Sequence, residues 1–163
     1  MAGLQESVPS VIKIDAQFLH FIELSDSQPL SPEQESILER ALTYGAKSAE
    51  VESADSSVLV VPRLGTISPW SSKATDILHN CGLGQVRRVE RGVQYFIHSS
   101  DALSQSELAT ILPLLHDRMT ESVLSDVSAA NQLFSHEAPR PMTQVDVLSG
   151  GRVALEQANQ SLG

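Results

Sequence analysis

The sequence predicts an α+β domain. Three observations carry that expectation: residues 11–24 alternate in polarity, Val58, Leu59, Val60 and Val61 form a continuous β-branched-rich run, and well-signalled helix starts at Ser31 and Ser104 fall between strand-like segments.

Taken in order, Ile12, Ile14, Ala16, Phe18, Ile22 and Leu24 share one parity, and Lys13, Asp15, Gln17 and Glu23 the other, as in a long half-buried strand. Ser31, Pro32 and Gln34 then supply an N-cap, a first helical residue and a capping-box partner. Ile37, Leu38, Ala41 and Leu42 give that helix its apolar stripe, and Gly45 offers a left-handed end. The stretch AKSAEVESADSS reads as a surface loop leading into a buried strand at residues 58–61. A short helix follows, with Ala74, Ile77, Leu78 and Cys81 on one face and Gly82 closing it. VRRVERGVQYFIH reads as two short strands turning at Arg91 and Gly92, a β-hairpin. Ser104 and Glu107 form a second capping box, stapled by Leu103 and Leu108, and Pro113 should kink or shorten the helix. DRMTESVLSD fits either a closing strand or more helix.

From residue 58 onward the order strand, helix, hairpin, helix, strand is βαββαβ, the ferredoxin-like pattern. The first strand and helix look like a second, incomplete copy, so the expectation is a ferredoxin-like unit fused to a partial one as a pseudo-dimer. The expected division is an α+β domain over 1–134, a proline-bearing linker over 135–148 and the start of a further helix over 149–163.

Composition excludes several functions. A net charge of −9 and a pI near 4.9 oppose a nucleic-acid-binding face. One cysteine, Cys81, excludes an internal disulfide, and its position on the apolar stripe predicts a buried thiol. The start MAGLQESVPS lacks the features of a secretory signal, and no apolar run approaches the roughly 20 residues that cross a bilayer, so the expected setting is the cytoplasm. The five histidines show no paired-ligand spacing, and no phosphate-loop, dinucleotide-binding or nucleophile-elbow motif occurs.

The informative segment is PRLGTISPWSSKATDILHNCGLG, residues 62–84. Pro69 sets up a helix start, Ser71 or Ser72 can cap its free amides, and a helix mouth with its dipole favours anions. Trp70 beside a turn suits either contact with a partner or core packing. Arg63, Arg87, Arg88 and Arg91 are the main basic cluster, read either as a phosphate contact or as an ordinary solvated hairpin face.

These residues carry a resemblance. PRLGTISPWSSKATDILHNCGL, VERGVQYFI, LHDRMTESVL and LFSHEAPRPMTQVDVLSGGRVALEQANQSLG, in that order, resemble the N-terminal region of the large single-chain phosphoribosylformylglycinamidine synthases of purine biosynthesis. That region is similar to a fused dimer of the separate small subunit of multi-subunit forms. The resemblance implies a parent ligase that uses ATP, magnesium, glutamine and formylglycinamide ribonucleotide, with both ends of this chain cut relative to it. No catalytic, metal or cofactor residue is expected in this stretch. It implies a scaffold that packs on the synthetase and glutaminase domains, with the ribonucleotide at its edge and no nucleic-acid or membrane partner. The residues expected to face the synthetase or its substrate are Arg63, Thr66 and Ser68 before the helix, Trp70, Ser71, Ser72 and Lys73 in its first turn, and Asp76 and Asn80 further along it.

Two other readings remain open. One is an independent ferredoxin-like module that binds a small anionic regulator. The other is a free-standing enzyme using Ser72 and Lys73, against which stands the lack of a general base beside them.

Overall fold

Alternating polarity produces the first long strand, β1 (Val11–Leu24), as expected. The computed structural model describes residues 8–26, 28–45, 54–135 and 141–162. After β1 come α1 (Pro32–Leu42), β2 (Ser56–Pro62), α2 (Pro69–Asn80), β3 (Val86–Ser99), α3 (Gln105–Leu115), β4 (Glu121–Leu124), a 3-10 helix (Val127–Phe134) and α4 (Val147–Leu162). The strands form one sheet in the order β1-β3-β2-β4, with every neighbouring pair antiparallel. The protein is thus α+β, and its sheet is compatible with a ferredoxin-like type of fold. The strand read as the start of an incomplete second copy belongs to this same sheet, because β1 pairs with β3 from Val11↔Ser99 to Leu24↔Val86, and the helix after it packs Leu38 and Leu42 on Val86 and Val89.

The expected hairpin at Arg91 and Gly92 is instead the middle of a 14-residue strand. Glycine is there for close approach, not for turning. A Cβ at Gly92 would meet the Val60 carbonyl oxygen at 2.9 Å and the Phe21 ring at 3.1 Å. The loop before β2 lies mostly outside the described residues, as do residues 136–140 of the expected linker.

Both capping boxes form. Ser31 pairs reciprocally with Gln34, and Ser104 with Glu107, each set stabilising its helix start by about 1 kcal/mol. Pro113 stands in the last turn of α3, which ends at Leu115. DRMTESVLSD resolves as a turn and the short edge strand β4, which pairs with β2 through Leu59↔Leu124 and Val60↔Val123.

The sheet buries both faces. On one, α3 covers Ile14, Val58, Val60 and Ile97 through Ile111 and Leu108. Farther along that face, α1 and α2 pack Leu38, Leu42 and Leu78 on Val86 and Val89. On the other, the 3-10 helix sets Ala130 and Leu133 against Leu59, Val61 and Leu124. Leu19 and Phe21 also join this second face, so β1 is not a simple one-sided strand; Ile12 and Phe18 on its expected core parity are exposed.

Cys81 is exposed, contrary to its expected burial. Helix α2 ends at Asn80, and the chain turns through Gly82 at φ 87°. The Leu83 amide donates to the Leu78 carbonyl at 3.0 Å and the Gly82 amide to that of His79, a Schellman closure. Leu83, not Cys81, therefore continues the buried face. Helix α4 has non-helical geometry at Gly151 and no buried residue. Among the described residues no helix is long and apolar enough to cross a membrane.

Candidate functional site

The start of α2 is fixed by Ser68. Pro69 occupies the first helical position, which makes the preceding residue the N-cap, and Ser68 Oγ accepts from the Ser71 amide at 3.0 Å. Neither Ser71 nor Ser72 caps the helix, as sequence reasoning had them. Ser71 is buried in the first turn, and its hydroxyl has no hydrogen-bond partner among the described residues. Ser72 is exposed.

The helix mouth already has its anion. Ser68 donates through its amide to Glu90 Oε1 at 3.2 Å and through its hydroxyl to Oε2 at 2.7 Å. Glu90 is fully buried, and Arg88 answers its charge, with Nε 3.1 Å and Nη2 2.5 Å from Oε1. Arg88 also donates to the carbonyls of Leu133 and Thr66, and its guanidinium lies 5.6 Å from the Phe134 ring. This cluster ties the loop before α2, strand β3 and the 3-10 helix together. Sequence reasoning missed it. The signal was the i, i+2 spacing of Arg88 and Glu90, which a single strand puts on one face while Arg87 and Arg91 go to the other.

Arg87 is exposed and reaches Glu23 at 3.5 Å. Arg91 lies in an aromatic clamp: its guanidinium is 4.4 Å from the Phe18 ring centre and 4.9 Å from that of Trp70, and Nη1 donates to Tyr44 Oη at 3.3 Å. Hence the four arginines are not one patch. Trp70 is half-buried, packing on the α1–α2 core while stacking 5.7 Å from His20. Burial, and secondarily the Arg91 charge, hold the His20 imidazole below its ordinary pKa.

Trp70 divides the expected residues between two hollows. One, of about 430 Å³, takes Arg63, Thr66 and Ser68 together with Arg91 and Glu121. The other, of about 260 Å³, is largely apolar and takes Lys73 with Tyr44, Ala74 and Ile77. Asp76 and Asn80 are exposed with Ser72 at four-residue steps along α2, so these three share its outward side. The Thr66 hydroxyl is spent on the Arg63 carbonyl at 2.6 Å. Among the described residues no group of His, Cys, Asp and Glu is arranged to hold a metal ion.

What the geometry defines is an α+β module whose most differentiated surface is the tryptophan-centred face of α2. Residues 17–134 match the family model described as formylglycinamide ribonucleotide amidotransferase N-terminal, and the chain belongs to that family. Membership associates it with the amidotransferase step of purine biosynthesis.

Proposed function

We propose that this chain is the non-catalytic N-terminal scaffold of a phosphoribosylformylglycinamidine synthase, an ATP-dependent carbon–nitrogen ligase of the cytoplasm. The parent enzyme converts ATP, formylglycinamide ribonucleotide and glutamine into the amidine, ADP, phosphate and glutamate; ATP and magnesium belong to its other domains. The scaffold spans residues 1–134, a linker 135–148, and residues from 149 begin a helix of the next domain. Its task is to hold the synthetase and glutaminase parts in register. The contact face is the outward side of α2 and the loop before it.

The observation that supports this most is the family match taken with the character of that face. Ser72, Lys73, Asp76, Ile77 and Asn80 are all exposed, and Ile77 is an apolar residue on a helix otherwise well anchored. Ser71 belongs to this reading only as buried support, and Thr66 and Ser68 as the frame of the loop. Positioning and exclusion of water, not bond making, are the contribution such a face offers.

The experiment is a double substitution, Ser72→Ala with Lys73→Ala, in the complete enzyme. The expected result is a rise in glutamate released per amidine formed, by severalfold, or a raised KM for the ribonucleotide. Unchanged stoichiometry with unchanged KM removes the functional reading of this face.

A further inference from the structure

We propose that Tyr44 is a pH-sensitive latch: while His20 is neutral the tyrosine closes one wall of the apolar hollow between α1 and α2, and protonation of His20 releases it. The latch works whether or not α2 contacts another domain.

Strand pairing sets it up. His20 and Arg91 are partners across β1 and β3, so two side chains that are both cationic in acid share one position of the sheet. Tyr44, two residues past the end of α1, reaches both. Its Oη lies 2.8 Å from His20 Nε2 and accepts from Arg91 Nη1 at 3.3 Å. Its ring stands edge-on to the imidazole at 5.6 Å and tilts against Phe18 at 6.2 Å. So held, Tyr44 lines the hollow of about 260 Å³ that also takes Trp70, Lys73 and Ile77.

The direction of the protons makes this a switch. A guanidinium only donates, so the Tyr44 oxygen accepts from Arg91 and the hydroxyl proton is left for His20. That chain ends on a bare Nε2 and needs a neutral imidazole. A protonated imidazole carries N–H on both nitrogens, so Nε2 donates into an oxygen already bonded to one cation, and the tyrosine proton loses its acceptor. Nothing offsets the added charge. Arg91 opposes it from β3, Lys73 lines the same hollow from α2, and among the described residues no carboxylate lies within ion-pair distance of His20. Trp70 stacks on the imidazole at 5.7 Å and on the Arg91 guanidinium at 4.9 Å, which holds both groups in place. Tyr44 is the group that yields: α1 is anchored by Leu38 and Leu42, whereas Tyr44 lies beyond the helix end and is 44% exposed.

Burial first, and the Arg91 charge second, hold the imidazole below its ordinary value of 6.5, so the fold favours the neutral form. The latch is therefore complete above about pH 6.5 and is lost as pH falls through the lowered value. Glu107 and Asp126, which secure the starts of α3 and the 3-10 helix, are held below the usual carboxylate range, chiefly by hydrogen bonds from Ser104 and Ser128, and stay ionised in that window.

The chain is followed from about pH 8 to about pH 5, with the His20 ring titrated by NMR. Amide exchange over residues 38–44, corrected for the intrinsic effect of pH, should quicken about fivefold or more along the His20 titration. Trp70, the only tryptophan in the chain and a lining residue of the hollow, should become more open to acrylamide quenching in step. His20→Gln keeps an acceptor for the tyrosine proton without a titratable charge, and should stay protected throughout with the other histidines still in place. Tyr44→Phe should exchange fast at every pH. Exchange that does not follow the His20 titration overturns the latch, as does a step that persists in His20→Gln or full protection in Tyr44→Phe. An exchange step with unchanged Trp70 quenching overturns the opening of the hollow.

Discussion

Glu90→Ala is expected to destabilise the protein by about 3–5 kcal/mol, because it strands the Arg88 guanidinium in a buried setting with its main counter-charge gone. The same change removes both acceptors of Ser68, so the N-cap of α2 loses its support as well. Urea unfolding is the measurement, read as a fall in midpoint at constant slope. Replacing the pair together, as Arg88→Met with Glu90→Leu, should recover much of the loss, since a buried pair often does little better than apolar groups of like volume. Recovery should stop short of complete. Ser68 and the carbonyls of Thr66 and Leu133 would still lack their partners. A Glu90→Ala protein within 1 kcal/mol of the parent would mean that the cluster does not hold the loop.

Leu78→Ala should cost about 2–5 kcal/mol. Leu78 is 1% exposed, packs against Val86 and Val89, and is the residue whose carbonyl closes the turn after α2 through Leu83. Truncation leaves a cavity on the one helix that carries the expected contact face. Ile77→Ala, one residue away and 49% exposed, is the control and should stay within about 0.5 kcal/mol. Equal effects at the two positions would contradict the orientation of α2 described above.

These two residues differ in how visible they were beforehand. Leu78 follows from helical periodicity, as do the capping boxes at Ser31 and Ser104, because local hydrogen bonding and the 3.6-residue repeat are written in consecutive letters. Glu90 was hidden. Gly92 after Arg91 imitates a turn, and only the nearness of the Val60 carbonyl in the folded sheet shows why glycine stands in an extended strand. With the strand broken in two, the shared face of Arg88 and Glu90 disappears from view. The element that covers that face is a 3-10 helix, whose short repeat leaves little pattern to read.

The site was legible in part for the same reason. Segment 62–84 stands out by composition, and the loop and helix it encodes line two separate hollows, with Trp70 on both. Pro69 takes the first helical position and so makes Ser68 the N-cap, while the hydroxyls of Ser71 and Ser72 just after it imitate a cap in the sequence. Arg91 is close to Arg87 and Arg88 in sequence, but strand alternation separates it from Arg88 and hands it to Phe18 and Trp70. Cys81 illustrates the limit of periodicity at a helix end: once the chain turns through Gly82, the next buried position passes to Leu83.

The proposed scaffold role requires that the outward side of α2 be covered when the enzyme is assembled. Two reactive reporters sit along this helix, Lys73 four residues after its first residue, Pro69, and Cys81 just past its last, both exposed in this chain. Acylation at Lys73 and alkylation at Cys81, quantified by peptide mass spectrometry, should proceed at rates typical of open side chains in residues 1–163 alone. In the complete enzyme the Lys73 rate should fall at least tenfold, with Cys81 slowed alongside it. Equal labelling of Lys73 in the two contexts would contradict the claim.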